Sequence, residues 1–359
     1  MLKTPKKLVL IQRMLGATPV LEATIAIVFT FSAVSIILAL LGISPGEVVR
    51  SLLRGALGTS YGIVGTLNET VPLFLCGLAF LIPFLCGFFN IGTQGQLELG
   101  ALVSILICLN LNGPPLVVVP LSLFCGIIGG IFAIIIPLLL SIYRGTNEVV
   151  TTIMSNFIYR YFIYALLMGP LKEPGAWFAT TPRLPRAYQL PKIFLHAHAG
   201  VLIAGMVGIL FYFLIRYTTF GLKLRAIGLN PTAALFAGVK VRKIRLQAVL
   251  LGGALAGLAG AIQVLGVVYR VAEGWSKPWG FLGLPVALFG GCNVFGVLAA
   301  AFFLAMLEVG SRHMQAMTGI PAAFVLLLQN LPLAFLLAIR SSRVLTQRLE
   351  KIFLAKEKA

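Results

Sequence analysis

The amino-acid sequence predicts an all-α polytopic membrane protein with about ten transmembrane helices, some of them short or broken. The first observation is composition: mean hydropathy is +1.01, 59% of the 359 residues are hydrophobic and only 11% are charged. A soluble domain needs more charge to cover its surface. The second observation is the length of the uncharged runs 71–97, 99–143 and 278–307, since a helix crosses the bilayer with roughly 20 apolar residues.

These runs divide into ten spans. The break Asn110–Pro115 splits the run 99–143 in two, because its asparagine, glycine and proline residues favour a turn. The basic N-terminus is similar to a signal peptide, but the following apolar run is long and no small-residue cleavage site follows it, so we interpret it as a retained first span. The predicted spans are 24–41, 71–89, 93–111, 115–142, 149–169, 199–216, 246–269, a short one at 280–291, 294–311 and 320–339.

Charge placement predicts the orientation. With the N-terminus in the cytoplasm, 18 of the 28 Lys and Arg residues lie in cytoplasmic segments, nine in outer segments and Arg160 within a span. This bias predicts that both termini are cytoplasmic, and it disfavours a version in which 280–291 only dips into the membrane. We expect one transmembrane domain over 1–359, with long outer loops at 43–70 and 170–198. Because the net charge of +18 is clustered as a topology signal, it does not indicate a nucleic-acid partner.

The most informative motif is Phe88-Phe-Asn-Ile-Gly-Thr-Gln-Gly-Gln-Leu-Glu-Leu-Gly100, which joins two apolar segments. Unpaired amide and backbone groups are costly in hydrocarbon, so such a break survives where it is buried in protein or lines a cavity. Discontinuous helices of this kind supply solute sites in many transporters. The alternative is an ordinary tight cytoplasmic turn with glycine caps. The candidate path residues in this motif are Asn90, Thr93, Gln94, Gln96 and Glu98.

Two further polar positions stand in apolar surroundings. A Gly/Pro-interrupted segment from Gly283 to Gly296 is similar to the one that precedes Asn90, which makes Asn293 a candidate at a repeat interface, with chance similarity as the alternative. Glu308 lies in an apolar run four residues before Arg312. Either an ion pair between these two residues near the outer interface or a polar pathway explains it.

A predicted cytoplasmic loop, at about 217–245, has the pattern of a helix, a glycine turn at Gly228 and a new short helix. Asn230 is expected as its N-cap, Pro231 as its first residue and Gly238 as its C-terminal stop. A short capped helix with an apolar face fits a groove on a partner protein. The alternative is a helix that lies on anionic lipid.

Sequence features of catalysis are missing. The chain has no Gly-x-x-x-x-Gly-Lys-Ser/Thr phosphate loop, and its ten acidic residues are all glutamates. No His, Glu or Cys cluster has metal-ligand spacing, and the five cysteines lie in apolar stretches as small buried or lipid-facing residues do. We therefore expect a non-enzymatic chain with no cofactor and no metal site.

Four segments resemble the permease subunits of bacterial ABC importers in the ribose/branched-chain amino acid superfamily, and within it the nucleoside and simple-sugar branch. They occur in the family's order and cover most of the chain from about 60 to 340. The resembling segments are Phe89-Asn-Ile-Gly-Thr-Gln-Gly-Gln96, Gly145-Thr-Asn-Glu-Val-Val-Thr-Thr-Ile-Met-Ser-Asn-Phe157, Arg225-Ala-Ile-Gly-Leu-Asn-Pro-Thr-Ala-Ala234 with Gly238, and Gly280-Phe-Leu-Gly-Leu-Pro-Val-Ala-Leu-Phe-Gly290.

The resemblance implies partners and residue roles. It implies a cytoplasmic ATPase, a second permease subunit, an exported substrate-binding protein or lipoprotein, and a place in the bacterial inner membrane. It also implies that the motif amides, with Asn156 of the second segment, lie in or beside the translocation path. The implied ATPase-coupling residues are Gly228, Asn230, Pro231, Ala234 and Gly238.

Three positions depart from the family's usual pattern. Gln94 stands where an acid is usual, Leu282 stands where Gly-Phe-Asp-Gly is common, and Thr232 stands where an acid follows Asn-Pro. The first two departures bear on the solute and the third on the contact with the ATPase.

The expected function is ATP-driven import of a small polar solute. Amide side chains both donate and accept hydrogen bonds, which suits an uncharged solute with hydroxyls or ring nitrogens. A purine nucleoside is the first choice by family branch, and riboflavin or a simple sugar is the alternative within the class. An ion-coupled secondary carrier is the alternative from another class, with Glu98 as its titratable group.

Overall fold

The computed structural model describes residues 19–40, 42–193, 197–321, 324, 326–332, 334–335 and 338, with side chains from residue 24 onward. The basic N-terminal segment and the basic tail lie outside the described residues, and the predicted span 320–339 is only partly within them. The helices are α1 (Pro19–Leu40), α2 (Pro45–Leu57), α3 (Ser60–Phe84), α4 (Thr93–Asn110), α5 (Pro115–Arg144), α6 (Glu148–Met168), α7 (Gly200–Tyr217), α8 (Thr219–Leu229), α9 (Pro231–Phe236), α10 (Val241–Gln263), α11 (Trp279–Phe289) and α12 (Val294–Thr318).

The helices confirm a multi-pass membrane protein. Within the described ranges, five helices are long and apolar enough to cross a membrane: α3, α5, α7, α12, and α10 with its continuation to Val268. The pair α1 and α2 is a sixth candidate that bends by 119° at its junction. Helices also occupy the predicted spans 93–111 and 149–169, as α4 and α6. By contrast, α11 has 11 residues and rises only about 16 Å, so it does not cross the hydrocarbon alone.

The prediction of a loop over 43–70 is wrong, because α2 and the first turns of α3 occupy most of it. Pro45 stands in the first turn of α2, where a missing N–H costs nothing, and Thr59 caps α3 by accepting from the Gly62 amide. The glycines serve close packing rather than turns. A methyl group at Gly62 would lie 2.3 Å from the Gly55 carbonyl oxygen, so only glycine lets α2 fold back on α3 this tightly.

The centre of the molecule is α10, which packs against α3, α4 and α5. Its residue Gly257 lies against Gly126 and Gly130 of α5, where an added Cβ would be 2.3 Å from the Gly126 carbonyl oxygen. Such small residues let helix backbones approach closely inside a membrane, where dispersion contacts rather than water exclusion hold helices together. This packing holds α4, which carries the amide motif, against the centre of the fold.

The predicted outer segment 170–198 is ordered where it is described. It runs beside the residues that follow α10, with backbone hydrogen bonds from Thr181 N to Val271 O and from Leu190 N to Leu265 O. The chain at the end of α10 forms a π-helical turn over Val264–Val268, and Tyr269 follows with a φ of +63°. Residues 269–278, called the α10–α11 connection below, lead from this turn into α11.

Candidate functional site

The predicted break between two apolar segments exists as a discontinuity between α3 and α4. Helix α3 ends at Phe84, Gly87 turns the chain with a φ of +77°, and the irregular residues 88–92 lead into α4. Two amides pair inside the break: Asn90 Nδ2 donates to Gln96 Oε1 at 3.1 Å and Gln96 Nε2 donates to Asn90 Oδ1 at 2.9 Å. Both side chains are fully buried, so each satisfies the other away from water.

A third amide, Asn156 of α6, holds the same break from the other side. Its Oδ1 accepts from Gly95 N at 2.8 Å and its Nδ2 donates to Ile91 O at 2.9 Å. The first N–H groups of a helix lack internal partners, and α4 begins inside the protein where water does not supply them. The cluster of Asn90, Gln96 and Asn156, called the amide cluster below, thus satisfies the start of α4.

The start of α4 meets the start of α11. Thr93 Oγ1 donates to Gly280 O at 2.7 Å, and Gly280 N donates to Gln94 Oε1 at 2.8 Å. A Cβ on Gly280 would lie 2.3 Å from Gln94 N, so glycine is needed for this approach. Two helix N-termini, one from each half of the chain, therefore come together at Gln94.

Gln94 and Glu98 also hold the α10–α11 connection. Gln94 Nε2 donates to Glu98 Oε1 at 2.9 Å and to Ser276 Oγ at 3.1 Å, and Ser276 Oγ donates to Glu98 Oε1 at 2.6 Å. Because a backbone N–H donates to Gln94 Oε1, the orientation of this amide is fixed by its partners. Glu98 lines a cavity of about 510 Å³ together with Arg160, Tyr161 and other residues of α6.

On the other side of the connection lies an ion-pair cluster that sequence reasoning missed. Lys277 Nζ lies 2.6 Å from Glu69 Oε1 and 3.0 Å from Glu308 Oε1. Glu69 Oε2 accepts from Trp279 Nε1 at 2.8 Å. In the part of the chain that the structure describes, Glu308 has one ion pair, and its partner is Lys277. The expected i,i+4 pair with Arg312 is therefore wrong: α12 turns Glu308 toward the α10–α11 connection instead.

The ion-pair cluster borders a cavity of about 660 Å³ between α2, α3, α12 and the end of α10. Two aromatic rings, Trp275 of the connection and Trp279 at the start of α11, line it with a centroid separation of 6.2 Å. Two amides line it as well, Asn68 of α3 and Gln263 at the last position of α10. This volume is within the range of small-molecule sites in proteins.

Most of these cavity residues have no local signal in the sequence. Glu69, Lys277, Asn68 and Gln263 stand singly among apolar or loop residues, and their common location depends on contacts between distant helices. One usable signal was present. An ionisable residue within a predicted span normally faces the protein interior, and the same reasoning applied to Glu69 beside the span 71–89 would have selected it.

Asn293 lies apart from Gln94. It caps α12 by accepting from Phe295 N at 3.3 Å, and it lines a separate cavity of about 370 Å³ with Arg216 and Arg225. Arg216 directly precedes the predicted cytoplasmic segment 217–245, and Arg225 lies within it. Asn293 is therefore near the opposite end of α11 from the Gln94 junction.

The segment 217–245 folds as two short helices, α8 and α9, as predicted. Asn230 caps α9 by accepting from Thr232 N and Ala233 N at 3.0 Å each, Pro231 is the first residue of α9, and Gly238 ends it with a φ of +79°.

Gly228 lies inside α8 and not in a turn, which corrects the predicted glycine turn. An added Cβ there would be 2.2 Å from Leu85 O, so α8 touches the end of α3.

One face of α9 packs against the helical bundle, and the other face is exposed. Ala234 is buried, whereas Leu235 and Phe236 are 60% and 87% exposed. Nearby, Arg245 Nε donates to Cys86 O at 3.3 Å, which ties the start of α10 to the α3–α4 break. Movement of this segment would therefore reach both α3 and α10.

Comparison with known proteins gives consistent results. The family model described as branched-chain amino acid transport system / permease component matches residues 62–337. The guanosine ABC transporter permease protein NupP of Bacillus subtilis is 31% identical, over 91% of this chain and 95% of its own length. The nucleoside ABC transporter permease protein NupB of Lactococcus lactis is 32% identical, over 85% and 87%. The glucose ABC transporter permease protein TsgB13 of Haloferax volcanii is 30% identical, over 89% and 86%.

Proposed function

The chain belongs to the branched-chain amino acid transport permease family and is a membrane-spanning subunit of an ABC importer, and on this premise we propose that its solute is a purine nucleoside. The observation that carries the proposal is the similarity to guanosine and nucleoside permeases over at least 85% of each chain. A simple sugar is the second candidate, because a glucose permease is similar over a comparable length.

We propose that the translocation path passes the junction of α4 and α11. Gln94 and Glu98 are the groups that would meet solute, because both contact the α10–α11 connection and Glu98 lines a cavity. Thr93 would hold the junction through Gly280 O. Asn90, Gln96 and Asn156 would act beside the path by supporting the start of α4. Asn293 would lie at the cytoplasmic exit, next to Arg216 and Arg225.

We propose that the segment 217–245 couples the chain to a cytoplasmic ATPase. The exposed Leu235 and Phe236 would enter a groove on that partner, and the Asn230 cap with Pro231 would fix the helix that presents them. Gly228 and Arg245 would transmit the movement, because they contact the end of α3 at Leu85 and Cys86. ATP hydrolysis would take place on that separate subunit.

The remaining parts of the proposal concern topology and partners. A cytoplasmic N-terminus would place α9 on the ATPase side and the segment 170–198 on the outer side, whether or not α11 crosses the membrane. An exported substrate-binding protein would deliver solute to that outer face, where Trp177 is fully exposed. A second permease subunit would complete the path, which makes the functional unit a pair of membrane subunits.

The test is uptake of radiolabelled guanosine and adenosine by cells that express this chain with its ATPase, second permease and binding protein. Unlabelled ribose, riboflavin and branched-chain amino acids serve as competitors. Saturable uptake that depends on ATP and is blocked only by nucleosides is the expected result. An intact assembly that imports no nucleoside would overturn the proposed solute and redirect the search to riboflavin or a sugar.

A further inference from the structure

We infer that the cavity of about 660 Å³ between α2, α3, α12 and the end of α10 is a solute-binding site that receives the planar base of a purine nucleoside. The inference rests on the proposed function and adds to it the location of the site and the residues that recognise the base. In this arrangement the half-buried Trp275 contacts the ring, the buried Trp279 lies beside Trp275 and holds it, and the amides of Asn68 and Gln263 form hydrogen bonds with the polar edge of the ring.

The first argument is an unmet hydrogen-bonding requirement. Gln263 is 2% exposed, yet its Oε1 has no hydrogen-bond partner among the described residues, and the same holds for Oδ1 of Asn68. Buried polar atoms in folded proteins are nearly always paired, and an exception requires an explanation. Both amides line the same cavity. A ligand that carries N–H donors on a ring edge would satisfy both oxygens.

The second argument is the position of Gln263 in the chain. It is the last residue of α10, directly before the π-helical turn Val264–Val268, and Val267 and Val268 of that turn also line the cavity. Single π-helical turns of this kind are often found at functional sites, because the extra residue changes the direction of neighbouring side chains. Here the turn places Val267 and Val268 beside Gln263 in the wall of the cavity.

The third argument is the aromatic surface. Trp279 is 3% exposed, and its Nε1 donates to Glu69 Oε2 at 2.8 Å, which fixes the ring in one orientation. Trp275 lies 6.2 Å away, centroid to centroid, with its plane inclined at 54°. Stacking on aromatic side chains is a general way for proteins to bind nucleobases, because every base has a π-face. A sugar without a planar ring would gain less from this surface.

The fourth argument is charge. Lys277 is matched by Glu69 and Glu308, so the part of the cavity next to the tryptophans does not present a free cation. Arg54 and Arg312 also line the cavity but are exposed to solvent. A carboxylate ligand would require a fixed basic partner in the buried part. An uncharged solute therefore fits the surroundings of Gln263 better than an amino acid.

Tryptophan fluorescence tests the inference directly, because the chain has three tryptophans and two of them line the cavity. The third, Trp177, is fully exposed and is removed by Trp177→Phe. Guanosine is titrated into the assembled transporter that carries this chain, and the signal of a tryptophan-free version of the chain in the same assembly is subtracted. We expect saturable quenching by guanosine and none by glucose.

The matched pair of variants is Gln263→Leu and Ser104→Ala. Ser104 is fully buried and its Oγ also lacks a partner among the described residues, but it does not line the 660 Å³ cavity. Gln263→Leu should raise the Kd for guanosine, measured by quenching, at least about ten-fold, which is the effect expected for a lost hydrogen bond to a buried polar group. The same variant should lower guanosine uptake. Ser104→Ala should change neither.

The outcomes separate the two proposals. If the unaltered chain imports guanosine, but guanosine does not quench the cavity tryptophans and Gln263→Leu imports at the normal rate, the solute site lies elsewhere and the present inference is overturned while the proposed function stands. If the assembled, unaltered transporter neither imports guanosine nor shows quenching, the proposed nucleoside is wrong and the inference fails with it.

Discussion

Lys277 donates a 2.6 Å hydrogen bond to the carboxylate of Glu69, although 208 positions separate the two residues in the chain. The same ammonium lies 3.0 Å from Glu308. One cation therefore joins α3, α12 and the α10–α11 connection, and it separates two carboxylates that would otherwise repel each other. A partly buried charge is costly unless it is paired in this way.

Lys277→Met should lower both stability and transport, because it leaves Glu69 and Glu308 facing each other without a cation. The loss of stability should fall below the roughly 3–5 kcal/mol of a fully buried pair, since the Lys277 side chain is 30% exposed. The measurement is the thermal unfolding midpoint of the purified transporter, together with guanosine uptake.

Two comparisons make this result specific. Glu69→Gln added to Lys277→Met should recover part of the stability, because it removes one of the two like charges. Lys192→Met, at an exposed position of the segment 170–198, should leave the midpoint unchanged. Equal losses for Lys277→Met and Lys192→Met would show that the ion-pair cluster does not stabilise the fold.

Gln94→Glu should impair uptake more than Gln94→Ala. The new carboxylate could not donate to Glu98, whose Oε1 lies 2.9 Å from the present amide nitrogen, and two carboxylates at this distance repel. The reciprocal double variant Gln94→Glu with Glu98→Gln should restore uptake, because it re-creates one amide and one acid. Co-purification of the ATPase should be unchanged in all three variants. Dissociation of the ATPase from Gln94→Ala would mean that the residue supports assembly and not the path.

Asn90→Leu and Gln96→Leu test the amide cluster as a structural unit. Asn90→Leu leaves Gln96 buried and unpaired, and Gln96→Leu leaves Asn90 with the Gly92 N–H at 3.2 Å but without its side-chain partner, so each variant should cost about 1–3 kcal/mol. The double variant should cost less than the sum of the two single variants, because no side-chain amide of the pair remains without its partner. Thermal unfolding of the four proteins, including the unaltered one, measures this coupling. Additive losses would contradict the pairing of Asn90 with Gln96 in the membrane.

The sequence predicted the break between α3 and α4 and the capped helix α9 well, because local rules determine both. Two glycines and three amides between apolar runs indicate a satisfied break in hydrocarbon, and Asn230 with Pro231 is a capping pattern that the structure confirms. Family motifs also covered these segments. What local patterns could not supply was the partner of each polar group, such as Asn156 for Gly95, 61 positions away.

The two errors in the fold and the unpredicted cavity have one physical cause. Glycine in a sequence indicates either a turn or a close approach between helices, and at Gly62 and Gly228 the close approach determines the structure. Likewise, the local sequence around Lys277 predicts a surface charge, whereas in the structure α3 and α12 each place a glutamate next to it. Tertiary packing, which the local sequence does not encode, decides these cases.

Gly228→Leu should abolish uptake while the chain still inserts and binds guanosine. A side chain at this position meets the Leu85 carbonyl oxygen, 2.2 Å from the Cβ of even the smallest replacement, so α8 would be displaced from the end of α3. Gly205→Leu is the control, because an added Cβ there has open space around it. Uptake and guanosine binding are measured on both variants. Full uptake by Gly228→Leu would show that the proposed coupling does not require the contact between α8 and α3.

The segment 170–198 should lose stability in acid because of His198. Burial lowers the pKa of His198 to about 4 from its ordinary 6.5, its Nδ1 accepts from Gly200 N at 3.1 Å, and its Nε2 has no partner among the residues described. Because the folded chain holds the neutral imidazole, this stabilisation is complete above pH 6.5 and is lost as the pH falls from 6.5 toward 4. The unfolding midpoint should therefore decrease over this range, and His198→Phe, which cannot be protonated, should flatten the decrease. Identical pH profiles for the two chains would show that protonation of His198 does not control the packing of this segment.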